Sequence, residues 1–510
     1  MPRQLNIASG VREFARSSPG QVAVRDGDRA LTFAAVHERS SRFACALLAS
    51  GLDVGDRVAL LSWNRLEFVE LSAGAAKAGL QMVPLNPRGS PHEHASLLAR
   101  SGAKALVADD ALVDAVPDSA QELPLLLTLG RTEAGRDYET VISTARAVDP
   151  VVEVAETDPF VVQYTSGTTG TPKGALISHR SRVLTMYGCA VDYGLGPGCR
   201  TVAVAPMALG AGFAFGYAGS FMGGQTSMLR QWDPEALLLM IETDRIETVF
   251  LVPTHAVGLR QAMATAPHRY DLSSLHTLYF NAAPLPVPLK EWVVDAFPGV
   301  GVHELYGSTE AGIVTSLRPV DAIRKAGTVG HPWFMTEVLL VDPGGNPVAT
   351  GQEGELFGRS PFNMNGYLDD PEGTAEALRP DGFLTSGDLA VSDDEGFVRI
   401  VDRKKDMIIC GGQNIYPGEI ENVLYRCDGV QDVAVVGLPD ETWGEQVAAF
   451  LVPVPGRHLD VTKLEAELRA RLAGYKTPRS WHVVAELPRN SNGKVLKRSL
   501  RDRTAAGHDG

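Results

Sequence analysis

At 510 residues the chain is too long for one ordinary domain and points to two to four. Apolar residues make up 44% and charged residues 21%, which excludes a disordered chain, and a net charge of −14 argues against a non-specific nucleic-acid binder. The five cysteines, at 45, 189, 199, 410 and 427, form no C-x-x-C pair and suit a reducing compartment. With no apolar segment in the opening MPRQLNIASGVREF, the expected location is cytoplasmic.

Between residues 30 and 150, helical patterns at 32–52, 67–80 and Pro91–Ser101 alternate with short apolar runs at 57–62, Gln81–Leu85 and 103–108. Such alternation predicts α/β units around a largely parallel sheet. Residues 201–229 hold no charged side chain over 29 positions, long enough for a membrane span. Pro206 and six glycines (210, 212, 216, 219, 223 and 224) would make a poor helix there. The expectation is therefore a buried strand, a loop and a pocket wall, with no integral membrane span. The α/β pattern resumes at 236–300, with strands at 249–252 and Thr277–Phe280.

From 325 to 400 short strands (Glu337–Val341, 354–358, 396–401) separated by turns such as DPGGNP predict a small β subdomain. Beyond 403 a compact α+β unit is expected. Its helices fall at 417–426 and 461–473, and its strands at 430–437, 447–454 and 481–484. The predicted domains are 1–402, with the β subdomain at about 325–402, and 403–510. Residues 402–510 carry a net +1 and the rest −15, as a small lid meeting an anionic ligand would, although ordinary surface variation gives the same split. Of the twelve histidines only His92 and His94 are close in sequence. They are expected on a solvated helix face, and no metal motif is present.

The apolar run DPFVVQY (158–164) ends in TSGTTGTPKG (165–174). A strand feeding a Gly/Ser/Thr loop turns N–H groups and hydroxyls onto phosphate oxygens, here Thr165, Ser166, Gly167, Thr168, Thr169 and Gly170, with Lys173 adding a charge. It is not a Walker A loop. Alone it is as often a surface connection, but it is followed in order by ELYGSTEAG (304–312), SGDLA (386–390), VDRKKDMIICGGQNIYPGEIE (401–421) and PRNSNGKVLKRSLR (488–501). Together with VPLNPRGSPHEHASLLARSGAKALV (83–107), these segments resemble the adenylate-forming superfamily of acyl-CoA synthetases, peptide-synthetase adenylation domains and luciferases. The resemblance covers nearly the whole chain.

That resemblance implies a large α/β N-terminal domain and a mobile α+β C-terminal lid. It implies a reaction in which a carboxylate attacks the α-phosphorus of ATP and a thiol then attacks the acyl carbonyl, releasing AMP. Joining two anions needs cations and oriented donors. By resemblance, Lys494 reaches the carboxylate and phosphate oxygens, Glu310 holds Mg2+ and Thr309 touches the α-phosphate. Tyr306 stacks on adenine beside the Ala282-Ala283-Pro284 segment, and Asp388 and Arg403 take the ribose. Lys405 is the hinge for lid rotation, and Gly411 and Gly412 line the pantetheine tunnel of coenzyme A.

The chain departs from the family pattern around the acyl group. Ala208 and Leu209 stand where an aromatic residue and His are usual, Asn281 opens the Ala-Ala-Pro segment, and His255 follows Val-Pro-Thr. Together with Phe213 and Gly307 these positions are the candidate substrate pocket, with Phe215 and Tyr217 as further walls. Small residues in place of bulky ones imply a large apolar acid, unless another side chain refills the space. Four readings follow: an acid–CoA ligase, a ligase that only converts a preformed acyl-adenylate, an enzyme that loads a carrier protein, and a silent binding protein. Homodimerisation is left open.

Overall fold

The computed structural model describes residues 4–150, 152–165, 172–265, 270–403, 406–410, 413–440, 442–490 and 493–505. Among these residues two large sheets dominate. The first has nine strands in the order His331–Pro332, Gly312–Leu317, Gly301–Ser308, Thr277–Phe280, Thr248–Leu251, Arg200–Ala203, Gln225–Met228, Val22–Asp26 and Arg29–Thr32. Its interior pairs are parallel and its edges antiparallel. The second has eight, running Gly366–Tyr367, Lys173–Ser178, Pro159–Thr165, Gln81–Leu85, Arg57–Leu61, Ala105–Asp109, Leu125–Leu129 and Arg136–Asp137. The alternating apolar runs of 57–108 thus become its parallel centre.

Helix Glu67–Ala78 is buried at every residue. Its Ala/Gly-rich sequence permits this: a Cβ on Gly74 would stand 2.8 Å from Ser40 O. Asn64, in the turn after Arg57–Leu61, clasps the two sheets together. Its Nδ2 donates to Ala203 O (3.0 Å), Ala205 O (3.1 Å) and Leu229 O (3.1 Å), and its Oδ1 accepts from Met207 N–H (2.8 Å).

The region 201–229 differs from the sequence expectation. A strand forms at Arg200–Ala203, but four of the six glycines that were to break a helix lie in one, Gly210–Phe221. Close packing outweighs the propensity cost. A Cβ on Gly212 would stand 1.9 Å from Pro206 O, and one on Gly219 2.5 Å from Thr201 Cγ2. The glycines let the helix lie directly on the strand and the loop after it. Among the described residues no helix is long and apolar enough to cross a membrane.

His94 is a second correction. It faces inward from helix Pro91–Ser101 and is buried, with Nδ1 2.8 Å from Ala115 O and Nε2 2.9 Å from Asn86 O.

A four-stranded antiparallel sheet follows, of Glu337–Val341, Glu353–Arg359, Leu384–Ser392 and Val398–Arg403. The final sheet pairs Val430–Asp440 with Gly444–Pro453. Ser480–Val483 lies parallel beside the latter, and the hairpin Ile408–Cys410/Gln413–Ile415 lies at the edge. Helices Pro417–Leu424, Val461–Arg471 and Lys497–Ala505 complete this small C-terminal unit. The large α/β N-terminal part and the small α+β C-terminal part are those read from the sequence.

Candidate active site

The site forms where strands of both large sheets end. Pro159–Thr165 delivers Thr165, whose Oγ1 donates to Glu310 Oε1 (3.2 Å); Tyr367 OH donates to the same oxygen (3.0 Å). Glu310 thereby faces the start of the glycine-rich loop. Lys173, at the loop's far end, pairs with Asp370 Oδ2 (2.9 Å) and lies 5.0 Å from the centre of the Tyr367 ring. Its ammonium holds the Asp370 carboxyl below the usual range. Ser166, Gly167, Thr168, Thr169 and Gly170 lie outside the described residues, as do Lys405, Gly411 and Gly412.

No group of three or more His, Cys, Asp or Glu that could hold a metal occurs among the described residues. A lone carboxylate such as Glu310 suits Mg2+, which commonly takes one protein carboxylate and draws its other ligands from phosphates and water.

Strand Gly301–Ser308 carries Tyr306, and its OH donates to Asp388 Oδ2 (2.6 Å). Asp388, buried on Leu384–Ser392, is the register partner of Arg403. The aromatic, the acid and the arginine position assigned to the nucleoside are thus neighbours. Gly307 must be glycine, because a Cβ would stand 1.9 Å from Gly312 O. Buried Glu304 forms an ion pair with Lys290 and accepts from Leu285 N–H (3.2 Å), fixing the chain just after Ala282, Ala283 and Pro284. Ala282 has φ +75°, a left-handed conformation that costs a non-glycine residue about 1–2 kcal/mol. Its N–H donates to Asn281 Oδ1 (2.6 Å).

Beside this lies a cavity of about 270 Å³ lined in part by Leu209, His255 and Ala282. His255 is buried and stacks on Trp232, with ring centres 4.2 Å apart. Its Nδ1 accepts from Val252 N–H (3.3 Å), so the remaining proton sits on Nε2. Burial, reinforced by Arg88, pushes its pKa down to about 3, which keeps it neutral at physiological pH. The loop carrying Lys494 closes over the cavity. A Cβ on Gly493 would stand 3.2 Å from Thr254 Oγ1, and Arg489 braces the loop by donating to Gly493 O (2.5 Å) while pairing with Asp432. The backbone N–H of Lys494 donates to Asn490 Oδ1 (2.9 Å).

Phe213 does not line this cavity. It stacks on Tyr217 (5.3 Å) and packs near Phe160 (5.8 Å), because positions four apart share the helix face turned to the core. Phe215 packs on Phe250 and Tyr279, and Tyr217 OH donates to Ile7 O (3.2 Å). Ala208 is buried, and its carbonyl accepts from Gln163 Nε2 (3.1 Å).

Sequence reasoning missed Asn64, Arg88, Arg230 and Arg489, which also line the cavity. Three arginines make it less apolar than the small residues alone implied. The one available signal was position: the first three follow the C-terminal ends of strands, where open α/β sheets bind ligands.

A model of the AMP-binding enzyme family matches residues 11–368, and one of the AMP-binding enzyme C-terminal domain matches residues 419–494. The chain is 39% identical to a feruloyl-CoA synthase of Amycolatopsis, over 98% of this chain and 99% of that protein. It is 36% identical to a 3-[(3aS,4S,7aS)-7a-methyl-1,5-dioxo-octahydro-1H-inden-4-yl]propanoyl:CoA ligase of Mycobacterium tuberculosis, over 97% and 98%. Among solved structures it resembles the amide bond synthetase McbA of Marinactinospora thermotolerans, with a TM-score of 0.88, 30% identity and coverage of 97% and 99%. The chain belongs to the AMP-binding, adenylate-forming enzyme family.

Proposed function

We propose that the chain is an ATP-dependent acid–CoA ligase acting on a bulky, largely carbocyclic or aromatic carboxylic acid through its acyl-adenylate. The observation that carries this reading is the convergence of three groups on one place. These are the Glu310–Thr165–Tyr367 cluster beside the phosphate loop, the Tyr306–Asp388 pair, and the Lys494 loop over a cavity walled by Trp63, Trp232 and Phe250. Feruloyl and hydroindenyl-propanoyl relatives, both CoA ligases of ring-bearing acids, support the substrate class.

In this reading Glu310 holds Mg2+ on the phosphates and Thr309 donates to the α-phosphate. Tyr306 and Asp388 fix the nucleoside. Lys494 neutralises the carboxylate and phosphate oxygens as they approach, which stabilises charge where it concentrates. Arg88, Arg230 and Arg489 give the cavity a positive rim suited to a phosphate-bearing thiol. We place the domain boundary at 402/403, with Lys405 as the hinge about which the lid rotates between half-reactions.

The test supplies ring-bearing acids, ferulate among them, either as free acid with ATP or as preformed acyl-adenylate. The acceptor is CoA or a phosphopantetheinyl carrier protein, and thioester is followed by mass. The expected result is acyl-CoA from both forms. Lys494→Ala should lose the ATP-dependent route by on the order of 100-fold or more and keep much of the adenylate route. Absence of thioester from both forms would refute the reading. Product from the adenylate alone would favour the second reading, which Leu209 in place of the usual His supports: a ligase of preformed adenylates.

A further inference from the structure

Arg182, on helix His179–Tyr193, is buried to 5% exposure, and neither its Nε nor its Nη2 has a hydrogen-bond partner. No acidic side chain pairs with it among the described residues. Burial alone draws its pKa down to about 10, the direction expected of a cation left without a counter-charge. An unpaired buried guanidinium is costly, and natural interiors seldom keep one without a partner.

The group points at a definite place. A methyl on Gly210 would stand 3.7 Å from Arg182 Nη2, 3.4 Å from Thr309 Oγ1 and 3.7 Å from Gln163 Cγ. Gly210 is the first residue of the twelve-residue helix Gly210–Phe221, whose N-cap, Leu209, supplies no side-chain acceptor and whose first turn holds no acid. Its first-turn N–H groups precede the helix's own hydrogen bonds and bring the positive end of its dipole to the same spot. Gln163 Oε1 is also buried without a partner there.

We propose that Arg182 and the N-terminus of helix Gly210–Phe221 form a carboxylate-binding cradle for the acid substrate. The inference rests on the ligase reading. It would give the acid a second cation besides Lys494, on the side where Leu209 offers none. The carboxylate has two sources, the reacting group itself or a second one on the same acid. In either case a guanidinium edge and helix N–H groups match a planar anion.

The experiment compares wild type, Arg182→Leu and Arg182→Lys. In the ligand-free protein Arg182→Leu is expected to raise the unfolding temperature by roughly 2–4 °C, because it removes an uncompensated buried charge. Benzoate is expected to stabilise wild type against heat and to leave Arg182→Leu unmoved. With acids that wild type converts, Arg182→Leu is expected to raise KM for the acid on the order of 10- to 100-fold. KM for ATP should hold, and thioester formation from preformed acyl-adenylate should be retained. Arg182→Lys should recover part of the loss. A loss seen with monocarboxylic acids assigns the cradle to the reacting carboxylate, and one confined to dicarboxylic acids assigns it to the second.

A drop in stability of ligand-free Arg182→Leu, or an unchanged KM for every acid, would overturn the proposal by making Arg182 structural. If wild type converts no acid at all, the ligase reading fails, while the benzoate arm still decides whether the cradle binds a carboxylate.

Discussion

Asn64→Ala tests the joint on which the site is built. Asn64 is 2% exposed, and its amide makes four contacts at 2.8–3.1 Å with backbone 139 to 165 residues away on the first sheet and the loop after it. Alanine would leave Met207 N–H without its acceptor, and Ala205 O and Leu229 O without this donor. Ala203 O would keep a bond from Leu229 N–H (3.2 Å). A stranded buried donor costs about 1–3 kcal/mol, and two under-satisfied carbonyls add a smaller amount, so a loss of about 3 kcal/mol is expected. That is a large part of the roughly 5–15 kcal/mol that holds a typical fold together. Urea unfolding followed by tryptophan fluorescence measures it. Because the loop 204–209 forms one wall of the cavity, KM for the acid should rise in the same variant. Asn64→Asp should fare no better at neutral pH, since it turns a carboxylate oxygen toward three carbonyls. A loss below about 1 kcal/mol with unchanged KM would refute the reasoning, because water or a small shift would then replace the clasp.

Two further outcomes follow from buried and strained groups. Lys77 is almost fully buried, its ammonium meeting His37 O (2.8 Å), Ser40 Oγ (2.9 Å) and Ser41 Oγ (2.9 Å), and burial lowers its pKa from 10.5 to about 7. Between pH 7 and 10.5 the unfolded chain therefore binds more protons at this site than the folded one, so stability should rise with pH across that window. Lys77→Met should flatten the rise, read as urea midpoints at pH 7, 8 and 9; an unchanged slope would mean that other groups set it. Ala282→Gly should stabilise the protein by about 0.5–1 kcal/mol by relieving the left-handed backbone, after the entropy glycine adds to the unfolded chain is deducted. A loss of stability in thermal unfolding would mean that the bond from Ala282 N–H to Asn281 Oδ1 already compensates the strain.

Much of the fold was legible because its signals are local. Apolar runs such as 81–85 and 277–280 fall on strands Gln81–Leu85 and Thr277–Phe280 as read. The Tyr306–Asp388 pairing was reachable from ordered motifs. What stayed hidden depends on contacts distant in sequence. Helix Gly210–Phe221 exists because Pro206 and Thr201 approach its glycines more closely than any Cβ allows, which no propensity scale records. His94 looked solvated beside His92, yet the carbonyls of Asn86 and Ala115 hold its ring inside. Arg88, Arg230 and Arg489 reach one cavity from three separate segments, so its charge could not be read from the small residues near 210.

The cations of the site fall into two kinds, and the difference says what each is for. Arg230 is tied to Asp109 (2.8 Å), Lys173 to Asp370 (2.9 Å) and Arg489 to Asp432. Each has a carboxylate that fixes its position and offsets part of its charge when no ligand is bound, and in the proposed ligase each would serve any phosphate-bearing group that arrives. On a chain of net charge −14, and with screening that ends long-range attraction within about 8 Å, such local positive charge is what draws an anion in. Arg182 has no such carboxylate among the described residues. Its burial is compensated only when an anion of the right shape occupies the space above Gly210, so its free energy changes most between empty and filled states. A group with that property discriminates among ligands where paired cations merely attract them. Selectivity for the acid should therefore follow substitutions at Arg182 more closely than substitutions at Arg230 or Lys173.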